Sequence, residues 1–289
     1  MVSIFIPTYN AEKCIGKTLR SVLQQTYREL EVWVVDDCST DGTVSVLESW
    51  MEKDARLHLL TKERNEGFVP YSWVRVMPLL RGEFTLYLSH DDYLAPDCIE
   101  QLVQAQRETG ADVVIPDVVF VNEAEGPERH SFTDSIRREL TGKTADLTQK
   151  QMLGSHMVRL SGRQAFSQML NYDIPGFALW RTDLIRQVGM STEAWNSDEG
   201  MQRLWVLHAQ RGVTLCPTAR FYYHITPSSI TQGLKPYHIT GLLTQRRLLR
   251  AALRAGTFLT APRAFFRFVW QYLKSSIYLH WRLREVKEE

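Results

Sequence analysis

Two apolar segments end in adjacent carboxylates: Val34-Val35-Asp36-Asp37, which runs on into Cys38-Ser39-Thr40-Asp41-Gly42-Thr43, and Leu86-Tyr87-Leu88-Ser89-His90-Asp91-Asp92. Buried strands seldom finish this way, because like charges at close range repel and need a cation or hydrogen-bond donors beside them. The pattern predicts two strands that deliver their acids to one sheet edge. There they can hold a hydroxyl-rich, phosphate-bearing ligand and its metal ion.

Around these segments, apolar runs of strand length alternate with helically spaced ones. Val2 to Ile6 reads as a strand stopped by Pro7, and Ala11 to Gln24 carries Ile15, Leu19, Val22 and Leu23 at helical intervals. Glu31 to Val35, Leu57 to Leu60 and Phe84 to Leu88 read as further strands. Val44, Val46, Leu47 and Trp50 mark a second helix, and Tyr71 to Leu80 a third. Such alternation predicts an α/β fold with a mostly parallel, Rossmann-like central sheet, right-handed crossovers and flanking helices. Ligands of these sheets bind at the carboxyl ends of the strands, where both acidic pairs fall. Asp112 to Phe120 is another strand, whereas Glu123 to Lys150 is polar and poorly periodic, as in an insertion or mobile loop. Order resumes with Gly176 to Arg181, a helix from Asp183 to Val188 and a helix opened by Ser197-Asp198-Glu199. Short strands at Val213 to Cys216 and Arg220 to Tyr223 follow, and after Pro227 only helices.

The 289 residues, 44% hydrophobic and 23% charged, suffice for one large or two modest globular domains. Pro7 interrupts the N-terminal apolar run and no basic stretch precedes it, so a strand is expected there and not a signal peptide. Cys14, Cys38, Cys98 and Cys216 form no pair at metal-ligand or redox spacing, so reduced thiols in a cytoplasmic protein are expected, without a disulfide. The net charge of +1 hides an asymmetry: from Pro227 onward eleven Lys/Arg face three Glu, a balance of +8, which leaves −7 for the rest. A basic, aromatic-rich end on an acidic body points to an anionic surface or partner.

Four motifs occur in order, each in a strand or helix context: Ile4-Phe5-Ile6-Pro7-Thr8-Tyr9-Asn10, Ser21-Val22-Leu23-Gln24-Gln25-Thr26-Tyr27, Val35-Asp36-Asp37-Cys38-Ser39-Thr40-Asp41-Gly42-Thr43, and Asp91-Asp92. Together they resemble the family 2 nucleotide-sugar glycosyltransferases of GT-A fold, closely as far as Ile115 and more loosely beyond. The resemblance implies an inverting glycosyltransferase that uses Mn²⁺ or Mg²⁺. It would move a sugar from a nucleotide-diphosphate donor, a UDP-sugar by the weight of the family, to a glycan or lipid-linked acceptor. Surface polysaccharide or lipopolysaccharide synthesis fits. Residues 1–225 would form the GT-A catalytic domain, with a nucleotide-binding half at 1–115 and an acceptor half at 116–225 carrying the polar insertion near 123–150. Residues 226–289 would form a helical, basic and aromatic C-terminal extension.

This transfer needs a pocket for the base, a counter-charge for the departing diphosphate and a group to deprotonate the incoming hydroxyl. On the family's pattern Pro7, Thr8 and Tyr9 wrap the base and Asp37 accepts an imide N–H, while Asn10 and Thr43 suit turn caps equally well. Asp91 is expected at the ribose or bridging phosphate and Asp92 at the metal, with Ser89 standing where the family's first motif Asp is usual. Mg²⁺ commonly takes only one or two carboxylates plus substrate phosphates. Arg64, with Asn65 and Gly67, matches the segment after the third strand that can face the nucleotide, although Tyr71-Ser72-Trp73 replaces the usual Ala-Arg-Asn. A single in-line displacement needs one general base, for which Asp198 fits best and Glu199 next. The other reading of Asp198 is an acid that stabilises the helix dipole. Trp195 suits a sugar-facing ring or the core. His224 is a candidate metal or phosphate ligand or else a structural histidine, since Tyr223-His224-Ile225-Thr226-Pro227 sets His where Arg is usual and Thr where His is usual.

In the extension, Arg246, Arg250 and Arg254 recur every four residues with Arg247 beside them, opposite Leu242, Leu249, Ala252 and Leu253, as in a basic amphipathic helix. Aromatic and basic residues then alternate from Arg263 to Arg284, with no run of the ~20 uncharged apolar residues needed to span a bilayer. The extension is expected either to lie on an anionic membrane surface, peripheral on the inner face of the cytoplasmic membrane, or to pack on the body or on a second subunit of a homo-oligomer. Nucleic acid is not expected, since no recognised module accompanies the charge. A sugar nucleotidyltransferase would need a Gly-rich phosphate loop, which Pro7-Thr8-Tyr9-Asn10 is not. A processive synthase would need spanning helices. The alternative of another class is a non-catalytic sugar-nucleotide-binding or assembly protein, against which Asp37, Asp91, Asp92 and Asp198 stand.

Overall fold

The first strand, β1 (Val2–Thr8), is buried at every position, which requires neighbours on both edges and cover on both faces. It has both in the computed structural model, which describes residues 1–122, 126–128, 152–153, 157–170, 177–225 and 236–288. The chain continues through α1 (Ile15–Leu23), β2 (Leu30–Asp36), α2 (Thr43–Met51), β3 (Leu57–Thr61), α3 (Val69–Val76), β4 (Phe84–Tyr87), β5 (Tyr93–Leu94) and α4 (Cys98–Thr109). Next come β6 (Val113–Asn122), β7 (Gly126–Glu128), β8 (Met152–Leu153), β9 (Met157–Leu160), α5 (Gly162–Met169), β10 (Leu179–Arg181), α6 (Thr182–Val188) and α7 (Ser197–His208). It closes with β11 (Val213–Ile225), a short 3₁₀ turn at Pro236–Thr240, α8 (Gly241–Arg254), α9 (Thr257–Thr260) and α10 (Pro262–Glu288). The sheet order among the described residues is β3-β2-β1-β4-β10-β6-β11-β9-β8, with β5 paired to β11 and β7 to β6.

The long pairings, of β1 with β2 and β4, β2 with β3, and β6 with β11, are parallel. β10 is short and antiparallel to both β4 and β6, and so joins the two parallel halves. The two strands expected at 213–216 and 220–223 are one, β11, whose register against β6 slips between Cys216 and Arg220. Pro217 lies in that gap with no N–H for the ladder, so pairing lapses while the chain runs on. Helix α3 begins at Val69 and not at Tyr71, because Pro70 is well placed in a first helical turn, where its N–H is not needed. Of the expected insertion near 123–150, only Gly126–Glu128 is among the described residues, as a strand on β6. Gly176, Thr226 and Pro227 lie outside them.

Alternation along β1 divides the core. Val2, Ile4 and Ile6 pack with α1 and α4 on one face, and Phe5 packs with Trp73, Trp180 and Trp205 on the other. At the end of β1 away from the acids, buried Glu31 accepts the Ser3 Oγ–H at 2.6 Å and the Arg81 N–H and Nε–H at 2.6 and 2.9 Å. The Gly82 N–H donates to Ser3 Oγ at 2.7 Å in the same cluster.

The extension is partly body. Helix α8 approaches α7 so closely that a Cβ on Gly200 would stand 2.3 Å from Thr244 Cγ2. Leu248, Ala252, Phe265 and Phe268 of α8 and α10 belong to the second core. Packing on the body, one of the arrangements expected for this segment, is therefore what its inner face does. No described helix is long and apolar enough to cross a membrane.

Candidate active site

Strand β4 stops at Tyr87, and the chain turns through Ser89 to Asp92 at the carboxyl edge of the sheet. The Asp92 N–H closes the turn on the Ser89 carbonyl at 3.2 Å, and Thr18 of α1 donates its Oγ–H to the His90 carbonyl at 2.7 Å. Immediately afterwards β5 pairs with β11, which brings the His224 N–H to Asp92 Oδ1 at 2.9 Å. Asp92 is 1% exposed, and its Oδ2 is buried without a hydrogen-bond partner. Burial, and then the Asp91 carboxylate, push the Asp92 carboxyl well above the usual carboxylate range, against the His224 N–H and the Ser89 hydroxyl. His224 thus reaches the acid through its backbone. Among the described residues no group of three His, Cys, Asp or Glu could by itself hold a metal ion.

The second acid set stands on α7. Asn196 is its N-cap, so Asp198 lies in the first turn, where backbone N–H groups lack helical partners. Asp198 is 9% exposed. Burial, then Glu199, raise its pKa to about 7, although the N–H groups of Glu199 and Asp198 and the Arg203 charge pull the other way. The Glu199 side chain is 42% exposed and faces Arg203 across 3.9 Å. Aromatic packing sets the direction of the helix. Trp205 donates its Nε1–H to the Gly189 carbonyl at 3.0 Å and meets Trp73 and Trp180 edge-on at 5.4 and 5.3 Å. Trp73 in turn stacks on Tyr87 at 5.9 Å.

Two tyrosines connect the acid sets. The Tyr87 hydroxyl, 3.3 Å from Ser89 Oγ, is held well above its usual pKa by burial and then by Asp198, with Asp92 and Asp91 adding to the effect. Tyr223 is pushed up to about 12 by burial, then by Asp92, Asp91 and Glu199. Asp91 and Asp92 therefore act electrostatically on both hydroxyls, Asp198 on that of Tyr87 and Glu199 on that of Tyr223. No motif marks either tyrosine; for Tyr87 the available signal is an aromatic residue closing an apolar strand just before an acidic turn, and Tyr223 has no such signal.

β1 lies between β2 and β4, so its last residues separate the two acidic pairs. Pro7 and Thr8 are buried, Tyr9 is 41% exposed, and Thr8 Oγ1 has no hydrogen-bond partner. The acids after β2 already hold protein groups. Asp36 accepts the Ser39 N–H at 2.9 Å and the Ser39 hydroxyl. Asp37 accepts the Glu66 and Gly67 N–H groups at 2.9 and 2.8 Å and pairs with Lys62 Nζ at 2.9 Å. The cation that paired carboxylates demand is here Lys62. Among the described residues Asp37 Oδ2 takes only the Gly67 N–H, which leaves it a lone pair for a ligand donor. The turns after β1 and β2 are tied by the Thr40 N–H to Asn10 Oδ1 at 2.8 Å, and both Asn10 and Cys38 have positive φ, 48° and 61°. A non-glycine residue in that region costs on the order of 1–3 kcal/mol and such strain gathers at ligand sites. Arg64 is exposed and has no partner among the described residues. Trp195 is half-buried, its ring 4.8 Å from that of His238.

Residues 3–175 match the family model described as Glycosyl transferase family 2. TuaG of Bacillus subtilis, whose name places it in teichuronic acid biosynthesis, is 26% identical over 189 residues, 62% of this chain and 75% of TuaG. The poly(ribitol-phosphate) β-N-acetylglucosaminyltransferase TarS of Staphylococcus aureus is 34% identical over 122 residues, 42% of this chain but only 21% of TarS. The crystal structure of TarS 1-349 in complex with UDP has a TM-score of 0.66 at 21% identity, covering 87% of this chain and 65% of that chain. The mannosyltransferase PcManGT from Pyrobaculum calidifontis, in complex with GDP-Man and Mn²⁺, has a TM-score of 0.59 at 18% identity, covering 96% of this chain and 74% of that chain. The shared architecture is the GT-A fold that the four motifs predict.

Proposed function

The chain belongs to glycosyl transferase family 2, and on that premise we propose that it is an inverting transferase. It moves a sugar from a nucleoside-diphosphate donor, a UDP-sugar, to a hydroxyl of a glycan or lipid-linked acceptor in surface polysaccharide assembly. The observation that carries this reading is Asp198, a buried carboxyl in the first turn of α7 with a pKa of about 7, whose charge acts on the same tyrosine hydroxyl as those of Asp91 and Asp92. TarS with bound UDP supports the choice of nucleotide, and the names of TarS and TuaG support a surface glycopolymer.

In this mechanism Asp198 takes the proton of the acceptor hydroxyl while that oxygen bonds to the anomeric carbon and the bond to the diphosphate breaks. One displacement inverts the centre and leaves no covalent intermediate. A base whose pKa lies near the working pH is best matched to this task and typically contributes ~10²–10⁴-fold. Glu199 is less suited, because it is more exposed and opposite Arg203. At the donor end Tyr9 offers a flat face to the base, Pro7 and Thr8 close its edge, Asp37 Oδ2 accepts its imide N–H, and Arg64 and Asp91 face the diphosphate and ribose.

The buried, partnerless Oδ2 of Asp92 fits a divalent cation, since a positive charge there would relieve both its desolvation and its repulsion by Asp91. Asp92 would hold Mn²⁺ or Mg²⁺, with His224 fixing Oδ1 through its N–H, and donor phosphates would complete the oxygen set. Bound there, the ion supplies Lewis-acid stabilisation of the leaving diphosphate.

A thermal-shift panel of UDP and GDP with and without Mn²⁺, followed by donor hydrolysis, tests the assignment. UDP with Mn²⁺ should stabilise the chain by about 2.7 kcal/mol at a hundredfold excess over Kd, and slow UDP-sugar hydrolysis should vanish in Asp92→Asn. Nucleotide binding with no hydrolysis or transfer from any sugar nucleotide would make the chain a binder and overturn the enzyme reading.

A further inference from the structure

The C-terminal helices have an outer face as well as an inner one. On α10, Phe266, Trp270, Leu273 and Ile277 are 63%, 59%, 47% and 72% exposed. Successive spacings of four, three and four residues set them in a single row along the helix. Phe258 and Leu259 of α9, 40% and 75% exposed, lie just before the row in the chain. Contiguous large apolar side chains in water mark an interaction surface.

The charges beside the row say what kind. Arg263, Arg267 and Lys274 occupy the adjacent helical row, with Lys274 Nζ 5.1 Å from the Trp270 ring centroid, and Arg246, Arg250 and Arg254 are exposed on α8. No Asp or Glu occurs between Glu199 and Glu285. Pairing of this face with its own copy would bury the same apolar row and its flanking cations from both copies in one isologous interface. The cationic rows would then be brought together with no carboxylate between residues 200 and 284 to neutralise them. A bilayer surface with anionic headgroups satisfies both features at once, taking aromatic and aliphatic side chains to the acyl boundary and Arg/Lys at the phosphates. Because no described helix can cross a membrane, the helix would lie in the plane of the interface.

We propose that the outer face of α9 and α10 seats this protein on a membrane containing anionic lipids. Since α8 packs on α7, whose first turn carries Asp198, seat and site are parts of one packed unit. An acceptor anchored in the same leaflet would be held beside the base. The seat stands independently of the transfer reaction.

Flotation of the full chain with vesicles of phosphatidylcholine alone, or of phosphatidylcholine with phosphatidylglycerol, tests it. The protein should float with the anionic vesicles, and at least about tenfold more weakly with neutral ones or at high salt. Trp270→Glu/Ile277→Glu should weaken anionic binding by at least about tenfold, with far-UV circular dichroism and the UDP-dependent thermal shift unchanged because both positions are exposed. The proposal fails if the unaltered protein does not float, or if the double variant floats equally well. It also fails if sedimentation velocity shows a dimer that the variant converts to monomer, which would give the face to a second copy.

Discussion

Replacing Asp198 by asparagine should stabilise the fold and abolish the chemistry together. An unfolded chain ionises this carboxyl near its ordinary value of 3.8, whereas the folded chain keeps the proton until about pH 7. The difference of roughly three units is worth about 4 kcal/mol at 1.36 kcal/mol per unit. Because the folded value is the raised one, the contribution is fully present below pH 4 and is lost as pH climbs through 7. Asp198→Asn has no proton to lose, so at about pH 8 it should be more stable than the unaltered chain by up to about 4 kcal/mol. At ~2.1 cal/mol/K per residue that is roughly 6–7 °C in Tm, whereas near pH 4.5 the two chains should nearly coincide. Transfer should fall by ~10²–10⁴. Scanning calorimetry at both pH values, with turnover measured on the same preparations, decides the matter. No gain in Tm at about pH 8 would show that burial does not hold the proton on this carboxyl. A gain without loss of turnover would move the base elsewhere, and Glu199→Gln would then be examined first.

Two structural predictions follow from the supports of the site. Asp37→Ala leaves the Lys62 ammonium, whose side chain is 2% exposed, with only Glu66 at 3.2 Å as counter-charge and removes the acceptor of the Glu66 and Gly67 N–H groups, which should cost about 1–3 kcal/mol. Asp37→Ala/Lys62→Met should recover most of that loss in urea unfolding, and failure to recover would mean that the Glu66 and Gly67 N–H groups matter more than the charge. Gly82→Ala would place a Cβ 2.5 Å from the Ser3 N and 2.7 Å from the Phe84 carbonyl oxygen. Backbone on both sides should make this overpacking cost about 1–3 kcal/mol in the urea midpoint while leaving nucleotide affinity intact, because Ser3 lies at the far end of β1.

The parallel half of the sheet is legible in the sequence because Val2–Thr8 and Phe84–Tyr87 are buried throughout, and only strands covered on both faces read as continuous apolar runs. β10 is not legible, since three residues carry no period. Its place between β4 and β6 is fixed by contacts distant in the chain, such as the Thr85 to Thr182 hydroxyl pair at 2.8 Å and the Arg181 N–H to the Asp112 carbonyl at 2.9 Å. Pro217 reads locally as the end of a strand, although β11 continues past it. Among the acids, the rule that ligands meet strand ends locates Asp91 and Asp92 but says nothing of Lys62, which answers Asp37 from the end of β3. Nor can it supply the pKa of Asp198, which arises from burial that exists only once α7 is packed.

The two acid sets are held by different kinds of contact. Asp92 is fixed largely through backbone, by its own N–H on the Ser89 carbonyl, the His224 N–H, and the ladder of β5 on β11. Asp198 is fixed through side chains, by Trp205 against Trp73 and Trp180, and by the contact of Gly200 with Thr244 of the C-terminal helices. The acidic turn after β4 follows a general strand-end pattern, whereas the setting of Asp198 depends on side-chain packing. The packing of α7 against the helices around it therefore sets how deeply Asp198 is buried. A change in that packing would alter its desolvation, and with it the pH above which transfer proceeds.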